Sequence, residues 1–274
     1  MKKELSLNEI HKVTLNTLQA FHDLCEKEHF KYYLAYGTLL GAVRHHGFIP
    51  WDDDADVWMP RKDYNKFLEY CQINSEKIKP YKLSTRRTEN NYYFGISRFS
   101  DYRYLYEPTT EEKPIDIGVF IDIYPLDSYG NSFEEGKRIL SHIQRENAKI
   151  RRYVNGKSNS LLKTCLKMPY HLFLRTVYRD DYLPKFDISI QKYIMENTSA
   201  TDRYVGVPIW ADDKVPEQYE REWFDEGVLL DFENYKFYVP KKWREILTYK
   251  YGDYMKLPPV EKRTPYHGYK ITER

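Results

Sequence analysis

The residues best suited to chemistry lie in one acidic stretch, GFIPWDDDADV, at positions 47–57. It contains four carboxylates, Asp52, Asp53, Asp54 and Asp56, whose charges repel one another at this spacing. The alternation of polar and apolar residues after Asp54 predicts a β-strand, in which Asp54 and Asp56 share a face roughly 6.6 Å apart. Asp52 would join them if the strand starts early enough. Carboxylates in this arrangement suit a hard cation such as Mg²⁺, which takes oxygen ligands.

The acidic stretch has two other interpretations besides an Mg²⁺ site. One is a calcium-binding loop, because the first three ligand positions of that motif are matched. The match fails further along: Val57 occupies the glycine position, Asp63 replaces the terminal glutamate, and Pro50 disfavours an entering helix. The other interpretation, a solvated acidic loop, stays open on this stretch alone.

A third carboxylate, Asp122, lies in the otherwise apolar strand VFIDIYP. Aspartate is depleted in strands, and a lone buried charge there is costly. Ile121 and Ile123 alternate out of phase with Asp122, which puts it on the more polar face, where it could meet Asp54 and Asp56. The alternative is a structural role, in which Asp122 accepts backbone hydrogen bonds at a strand end.

A phosphate subsite is predicted beside these carboxylates. Gly37 and Thr38 lie between a predicted strand and a predicted helix, where glycine lets the backbone approach a phosphate and the helix N-terminus offers N–H groups. Arg44, two turns along, could reach a phosphate oxygen. Arg98, in the strand ISRFSD, could also bind phosphate, or it could form a surface ion pair with Asp101.

Helices and strands are mixed along the chain without regular βαβ alternation, which favours an α+β fold. A capping box of Ser6 and Glu9 opens a predicted amphipathic helix over 7–29. Further helices are predicted at 38–46, 61–73, from about 132, near 184–197 and at 241–251, and strands at 32–36, 54–59, 92–100, 115–124 and 235–239.

The chain is predicted to consist of a catalytic core over 1–130, a helical basic insertion over 131–200 and a C-terminal part over 201–274 that completes the core. Its formal net charge is only +2, yet the stretch from Gly136 to Arg179 is strongly basic. Within that stretch, residues 161–178 read as a basic amphipathic helix. Such a helix could dock on an anionic membrane surface, or its apolar face could simply cover the core. No known nucleic-acid-binding motif is present, so no nucleic-acid partner is expected.

The composition also bears on the cellular compartment. Three widely spaced cysteines without a CxxC pair favour a reducing, cytoplasmic setting. The first ten residues lack an apolar run, and no stretch of 18 apolar residues exists, so neither a signal peptide nor a membrane span is predicted.

The stretch YGTLLGAVRHHGFIPWDDDADVWMPRKDY resembles the signature of the LicD/fukutin family. GVFIDIYPLD resembles the family's later block, and YGDYMKLPP resembles its C-terminal tail. The family is similar to the polymerase-β-like nucleotidyltransferases, whose pattern is G-[ST], then D-x-D, then a third strand aspartate. The resemblance covers residues 10–125 well and 235–268 moderately, whereas 130–230 match nothing recognisable.

The resemblance implies a nucleotidyltransferase-like mixed sheet core with flanking helices. It implies that Asp54, Asp56 and Asp122 hold Mg²⁺, with Mn²⁺ as an alternative, and that Gly37 and Thr38 cradle phosphate. Two carboxylates of this set, Asp54 and Asp56, are also expected to act in catalysis together with Asp122.

The resemblance further implies transfer of phosphocholine from CDP-choline, or from a related CDP-alcohol. The acceptor would be a hydroxyl of a lipid-linked glycan precursor of teichoic acid or lipopolysaccharide type, with release of CMP. Asp122 is our candidate for deprotonating that hydroxyl. Asp52, which matches a family carboxylate, joins Arg44 and Arg98 as expected substrate-binding residues. The enzyme is expected to be cytoplasmic and peripheral to the inner face of the membrane.

Three alternative functions remain open from the sequence. The first is transfer of another phospho-alcohol, such as ribitol or glycerol phosphate. The second is a nucleotidyltransferase that uses an NTP. The third is a non-catalytic, membrane-bound scaffold, against which the presence of all three presumed metal ligands argues.

Overall fold

The computed structural model describes residues 3–89, 92–109, 115–154, 168–170, 172, 173, 176, 182–210, 215–264 and 269–274. The chain forms two compact units, each assembled from separate stretches of sequence. The first unit combines Met1–Ser84, Ser97–Leu126 and Tyr219–Arg274, and the second combines Thr85–Ile96 and Asp127–Gln218.

Helices and strands are numbered here in chain order. The longer helices are α1 (Leu7–Glu28), α2 (Tyr36–Arg44), α3 (Arg61–Ile73), α4 (Phe133–Val154), α5 (Tyr182–Asn197) and α6 (Trp243–Tyr251). The strands are β1 (Tyr33–Leu34), β2 (Asp56–Pro60), β3 (Tyr81–Ser84), β4 (Ser97–Asp101), β5 (Tyr104–Pro108), β6 (Val119–Ser128), β7 (Tyr204–Gly206), β8 (Tyr219–Glu220), β9 (Gly227–Phe232), β10 (Tyr235–Pro240) and β11 (Tyr269–Glu273). Single 3₁₀ turns cover Pro208–Trp210, Arg221–Phe224 and Val260–Lys262.

The main sheet of the first unit has the strand order β1-β2-β6-β4-β3. Strand β2 runs parallel to β6, with Asp56 opposite Asp122, and β4 runs antiparallel to β6, with Arg98 opposite Asp122. The pairing therefore aligns two carboxylates and a guanidinium in one row across three adjacent strands. Two separate two-stranded sheets, β9–β10 and β5–β11, also belong to this unit.

Helix α1 packs on the main sheet through aromatic residues. It begins with a complete capping box, because the Ser6 side chain accepts from the backbone N–H of Glu9 while the Glu9 side chain accepts from the backbone N–H of Ser6. Its fully buried Phe21 lies edge-on to Phe67 of α3 at 5.2 Å and tilted against Phe99 of β4 at 6.2 Å. Aromatic pairs of this kind fix helix and sheet more firmly than aliphatic contact alone.

The second unit consists mainly of α4 and α5 with a short strand pairing. Buried aliphatic residues line one face of α4, including Ile139, Leu140 and Ile143. The end of β6 pairs antiparallel with β7, with Asp127 opposite Gly206. The four-residue period of buried positions shows why this basic segment forms a helix with a packed face and a charged one.

The α+β fold class and the helix expected at 7–29 are confirmed. The strand predicted at 54–59 begins only at Asp56, because the backbone N–H of Asp52 closes a turn to the carbonyl of Ile49 at 2.9 Å. Asp54 therefore precedes the strand. Strands β3, β5, β7, β8, β9 and β11 were not predicted. The three-part division at residues 130 and 200 stays a prediction, and most of the basic segment 161–178 lies outside the described residues.

Candidate active site

The three predicted carboxylates come together at one end of the β2–β6 pair. Asp56 is the first residue of β2, Asp122 lies opposite it in β6, and Asp54 precedes the strand by two residues. One carboxylate oxygen from each of the three lies within 4.8 Å of the others. Asp56 and Asp122 are buried and Asp54 is half-buried. The predicted convergence of Asp122 with the D-x-D pair is therefore present in the structure.

The acidic loop is held through its backbone by three different elements. Nε2 of His11, from α1, lies 2.6 Å from the carbonyl oxygen of Asp52. The Tyr269 hydroxyl, from β11, donates to the carbonyl of Asp53 at 2.9 Å. The Asp122 N–H donates to the carbonyl of Ala55 at 2.8 Å. Because these groups bind backbone oxygens, the carboxylates themselves are left for other partners.

The burial and electrostatics of Asp56 are those of a residue that could bind a cation. Burial, followed by the neighbouring charges of Asp54, Asp122 and Asp52, raises the pKa of the Asp56 carboxyl well above its usual range, and a hydrogen bond with the Tyr124 hydroxyl opposes this only in part. Its Oδ1 atom is buried and has no hydrogen-bond partner among the residues that the structure describes. A buried acceptor without a donor is costly. A divalent cation that prefers oxygen ligands would offset the negative charge and would also give Oδ1 a partner, so it fits this donor set.

A second acidic group overlaps the first. Carboxylate oxygens of Asp52, Asp53 and Asp54 also lie within 4.8 Å of one another, so Asp54 belongs to both groups. Asp53 is buried, whereas Asp52 and Asp54 are half-buried. This crowding adds negative charge beside Asp56 but lacks the orphaned acceptor that distinguishes the first group.

Arg98 lies inside the carboxylate cluster. Its Nε donates to Oδ1 of Asp122 at 2.7 Å in a buried contact, and its guanidinium carbon lies 4.0 Å from the ring centroid of Phe120. The alternative of a surface ion pair with Asp101 is wrong, since Asp101 is instead bonded by Nη2 of Arg103 at 2.6 Å. The reason is strand geometry: residues 98 and 101 of β4 are an odd number apart and so face opposite sides.

Gly37 and Thr38 lie in the first turn of α2, directly against the acidic loop. A Cβ atom added at Gly37 would lie 2.7 Å from Oδ2 of Asp52, so only glycine fits there without displacing that carboxylate. The Thr38 hydroxyl accepts a hydrogen bond from the backbone N–H of Asp56 at 2.8 Å. Thr38 thus fixes the start of β2. The expected phosphate-binding role of both residues stays a prediction.

Arg44, at the other end of α2, is turned toward the C-terminal region. Its Nη1 donates to the carbonyl of Tyr254 at 3.0 Å, and its Nε lies 3.0 Å from Nε2 of His45. Burial lowers the pKa of the Arg44 guanidinium. The structure therefore shows Arg44 bound to the chain segment of the YGDYMKLPP motif, and its expected contact with phosphate stays a prediction.

Several residues that border the cluster were not singled out from the sequence. Tyr36 adopts a left-handed backbone conformation (φ 43°) immediately before Gly37, and its ring lies edge-on to Trp58 at 4.9 Å and to Tyr124 at 5.0 Å. The Lys250 ammonium lies 5.1 Å from the centroid of the same ring. A non-glycine residue with positive φ is uncommon and often marks a functional turn. Of these residues, only Tyr124 could have been identified from the sequence, because it lies two residues after Asp122 and so on the same face of the strand.

The chain is similar to a known protein family and to a curated relative. The family described as LicD/FKTN/FKRP, nucleotidyltransferase domain, matches residues 29–171, just over half of the chain, and this range includes all three carboxylates. The chain is 32% identical over 279 aligned residues to a lipopolysaccharide cholinephosphotransferase LicD of Haemophilus influenzae, covering 97% of each chain.

Shorter matches link the chain to two rickettsial proteins without assigned function. An uncharacterized protein of Rickettsia typhi is 32% identical over 136 residues, covering 47% of this chain and 40% of its own. An uncharacterized protein of Rickettsia prowazekii is 47% identical over 62 residues, covering 23% and 21%. With the family match over residues 29–171 and a relative aligned along almost its entire length, the chain belongs to the LicD/FKTN/FKRP nucleotidyltransferase-domain family.

Proposed function

We propose that this protein is a phosphotransferase that moves phosphocholine from CDP-choline to a hydroxyl of a cell-surface glycan precursor, of lipopolysaccharide or teichoic acid type. The observation that carries the proposal is the convergence of Asp54, Asp56 and Asp122 within 4.8 Å. The cholinephosphotransferase relative, aligned over 97% of each chain, supports the choice of phosphocholine.

In this proposal Asp54, Asp56 and Asp122 hold Mg²⁺, or alternatively Mn²⁺. The buried Oδ1 of Asp56, which has no hydrogen-bond partner in the described part of the chain, supports a cation at this position. When bound, such an ion supplies neutralisation of the charge on the transferred phosphoryl group. The chain's own contribution is to fix the backbone at Asp56 and Asp122, through the Thr38–Asp56 and Asp122–Ala55 hydrogen bonds.

The proposed step forms one bond and breaks one. The acceptor hydroxyl oxygen bonds to the phosphorus that carries choline, and the bond from that phosphorus to the bridging oxygen of CMP breaks. Asp122 is our candidate for receiving the hydroxyl proton. Gly37, Thr38 and Asp52 lie beside the cluster, and the lack of a Cβ at Gly37 lets Oδ2 of Asp52 approach the backbone of α2.

Binding of the nucleotide donor tests this proposal directly. Calorimetry with Mg²⁺ would compare CDP-choline with CDP-glycerol, CDP-ribitol and CTP, on the wild type and on Asp54→Asn. Asp231→Asn is the matched control, because Asp231 lies in the β9–β10 hairpin, is 66% exposed and pairs only loosely with Lys236 at 3.3 Å. We expect selective, Mg²⁺-dependent binding of CDP-choline that Asp54→Asn weakens at least tenfold and Asp231→Asn leaves unchanged.

The other outcomes separate the alternatives. Preference for CDP-glycerol or CDP-ribitol would replace phosphocholine by another phospho-alcohol. Preference for CTP, with pyrophosphate release in a turnover assay, would identify a nucleotidyltransferase. If no nucleotide bound and Asp54→Asn retained the cellular function, the protein would act as a scaffold.

The proposal includes association with the inner face of an anionic membrane, where a lipid-linked acceptor would be found. Apolar side chains at Met168, Tyr170, Leu172 and Phe173 are 37%, 48%, 57% and 59% exposed. They lie in the basic segment Gly136–Arg179, and exposed apolar residues among lysines and arginines suit an anionic lipid surface. Within the described ranges, no helix is long and apolar enough to cross a membrane.

Sedimentation with lipid vesicles tests the membrane association. We expect binding to vesicles that mix phosphatidylcholine with anionic phosphatidylglycerol, and little binding to phosphatidylcholine alone. Leu172→Glu with Phe173→Glu should abolish it. Ile73→Glu, at an equally apolar position of α3 that is 73% exposed, is the control. Equal loss with the control variant would remove this part of the proposal.

A further inference from the structure

We infer that Arg98 is a built-in counter-cation of the carboxylate centre, which positions Asp122 and shares that carboxylate with the divalent ion. This differs from the substrate-binding role expected from the sequence. The inference rests on the proposed function, since it concerns the same three carboxylates. It assigns Arg98 as a positioning residue and gives it no contact with the reacting atoms.

Strand register builds this arrangement. Asp122 has Asp56 as its neighbour in β2 and Arg98 as its neighbour in β4, so the three residues form one row across the sheet. Nε of Arg98 lies 2.7 Å from Oδ1 of Asp122, and the two side chains are only 7% and 6% exposed. A buried, charge-assisted hydrogen bond of this length holds the carboxylate in one orientation.

One edge and one face of the Arg98 guanidinium are occupied by the chain itself. The guanidinium carbon lies 4.0 Å from the centroid of the Phe120 ring, so one face of the group is covered by an aromatic side chain. An arginine that grips a phosphate presents its fork of N–H donors to the ligand. Here Nε is bonded to Asp122, while the buried Nη1 is a donor that the described chain leaves unsatisfied, so contact of Nη1 with a donor phosphate is the rival role that the KM measurement below tests.

The charge of the carboxylate cluster indicates why a cation at Arg98 is useful. When they are ionised, Asp54, Asp56 and Asp122 carry three negative charges against the single positive charge of Arg98, and Asp52 and Asp53 add further negative charge beside them. This excess of negative charge suits a divalent cation. Without the cation, Arg98 offsets part of the repulsion among the carboxylates. With it, Asp122 interacts with two cations at once, so Arg98 and the metal ion oppose one another at this carboxylate.

The inference predicts opposite effects on metal binding and on turnover. In Arg98→Met the competing charge is lost, and we expect Mg²⁺ to bind roughly 5- to 100-fold more tightly, the usual range for coupling between two sites. Turnover should fall by about two orders of magnitude, because Asp122 is no longer held in place. The KM for CDP-choline should change by less than about twofold, since a positioning residue does not touch the donor.

Two further variants give the controls. Arg98→Lys keeps the charge and should keep the metal affinity of the wild type while restoring part of the turnover. Arg103→Met removes a guanidinium that pairs with Asp101 at 2.6 Å. Arg103 lies in the turn between β4 and β5, is 59% exposed and is outside the carboxylate cluster, so this variant should leave metal affinity and turnover unchanged. Metal affinity is measured by calorimetry with Mg²⁺ and by electron paramagnetic resonance with Mn²⁺.

Thermal unfolding provides a readout that does not depend on activity. The rise in Tm on replacing EDTA by Mg²⁺ should be larger in Arg98→Met than in the wild type, because the buried carboxylates lack any counter-charge until the ion binds. Folding of Arg98→Met only in the presence of Mg²⁺ would be the extreme form of the same result. If Arg98→Met does not fold under either condition, unchanged metal affinity in Arg98→Lys supports the inference, and weakened affinity overturns it.

The outcomes distinguish this inference from the proposed function. If the wild type binds no Mg²⁺ or Mn²⁺, the proposed metal centre fails, and the inference fails with it. If the wild type and Arg98→Met bind the ion equally while the KM for CDP-choline rises tenfold or more, the metal centre stands. In that case Arg98 binds the donor and the inference is overturned.

Discussion

At the scale of single residues, Asp56 best reveals what the site is built for. It is buried, it faces three other carboxylates, and one of its oxygens lacks a hydrogen-bond partner within the described structure. Each of these features destabilises its charged form. An ionised Asp56 at the start of this central strand lowers the folding stability of the protein, and a bound cation would restore that stability.

Replacing Asp56 by Asn should therefore stabilise the metal-free protein. Burial raises the pKa of Asp56 in the folded state above its unfolded value, so the stability contributed by its proton is present at low pH and is lost as pH rises through the folded pKa. A pKa difference of one between the folded and unfolded states corresponds to about 1.4 kcal/mol of unfolding free energy. In EDTA, the Tm of Asp56→Asn should exceed that of the wild type by an amount that grows from pH 5 to pH 9.

Two comparisons make this prediction strict. In Mg²⁺ the order of the two Tm values should reverse, because only the wild type retains the full ligand set. Asp231→Asn, on the exposed hairpin, should show a constant difference across the pH range. A difference between Asp56→Asn and wild type that stays flat with pH would mean that Asp56 is not held in its protonated form.

A matched pair of threonines tests whether Thr38 supports the site structurally. The Thr38 hydroxyl accepts from the buried N–H of Asp56, whereas the buried Thr14 hydroxyl has no hydrogen-bond partner among the described residues. Thr38→Val leaves a buried donor unsatisfied and should cost about 1–3 kcal/mol of unfolding free energy. Thr14→Val replaces an unsatisfied hydroxyl by a methyl group and should be neutral or stabilising. Urea unfolding measures both, and equal effects would contradict the assigned bond.

At the scale of elements, helix α2 contains two glycines, Gly37 and Gly41, with different surroundings. A Cβ added at Gly41 would lie 2.4 Å from the backbone carbonyl oxygen of Gly47, which cannot move without displacing the chain that leads to the acidic loop. A Cβ added at Gly37 would meet only Oδ2 of Asp52, at the end of a short side chain. The same substitution in one helix therefore meets a rigid neighbour at one position and a movable one at the other.

We accordingly expect different outcomes for alanine at these two positions. Gly41→Ala should lower the unfolding free energy by about 1–3 kcal/mol, the usual cost of forcing atoms into a packed region. Gly37→Ala should keep a Tm within a few degrees of the wild type, because Asp52 can rotate away, yet lose most of its transferase activity. Full activity in a folded Gly37→Ala variant would show that neither Gly37 nor the orientation of Asp52 matters for the reaction.

The elements also show how far the sequence can predict this site. The phase of Asp122 in its strand was sufficient to predict that it meets Asp56, because both lie in strands with a two-residue period. Asp54 joins them as predicted, but it precedes β2, so the strand period does not explain its position. The partner of Arg98 was not predictable, since it depends on the antiparallel register of β4 against β6. His11 and Tyr269 escaped for a related reason: they reach the acidic loop from 41 and 216 residues away.

At the scale of the whole molecule, the two compact units draw on the chain differently. The first gathers three stretches that end at residues 84, 126 and 274, and it contains the carboxylate cluster and Arg98. The second is built around α4 and α5 and carries much of the basic segment. The active-site residues thus belong to a unit that includes the C-terminal stretch of the chain. A truncation before β11 would remove Tyr269 from the loop.

The buried thiols of the first unit offer a measure of its global stability. Cys25 and Cys71, which are free thiols in α1 and α3, are each about 1% exposed. Burial raises the pKa of Cys71 to about 12 and also raises the pKa of Cys25. Because the thiolate is the reactive form, a pKa near 12 alone slows reaction at pH 8 on the order of 10³-fold relative to an ordinary cysteine.

In a Cys165→Ser background, which removes the cysteine outside the described residues, we expect almost no reaction of the folded protein with a disulfide reagent at pH 8. Two thiols should react at once in guanidinium. At low denaturant the slow reaction should follow the free energy of global unfolding, since both cysteines lie in helices packed against the main sheet. Rapid reaction of one thiol in the native protein would mean that α1 or α3 opens independently of the sheet, and that the unit holding the carboxylates does not unfold as a single cooperative structure.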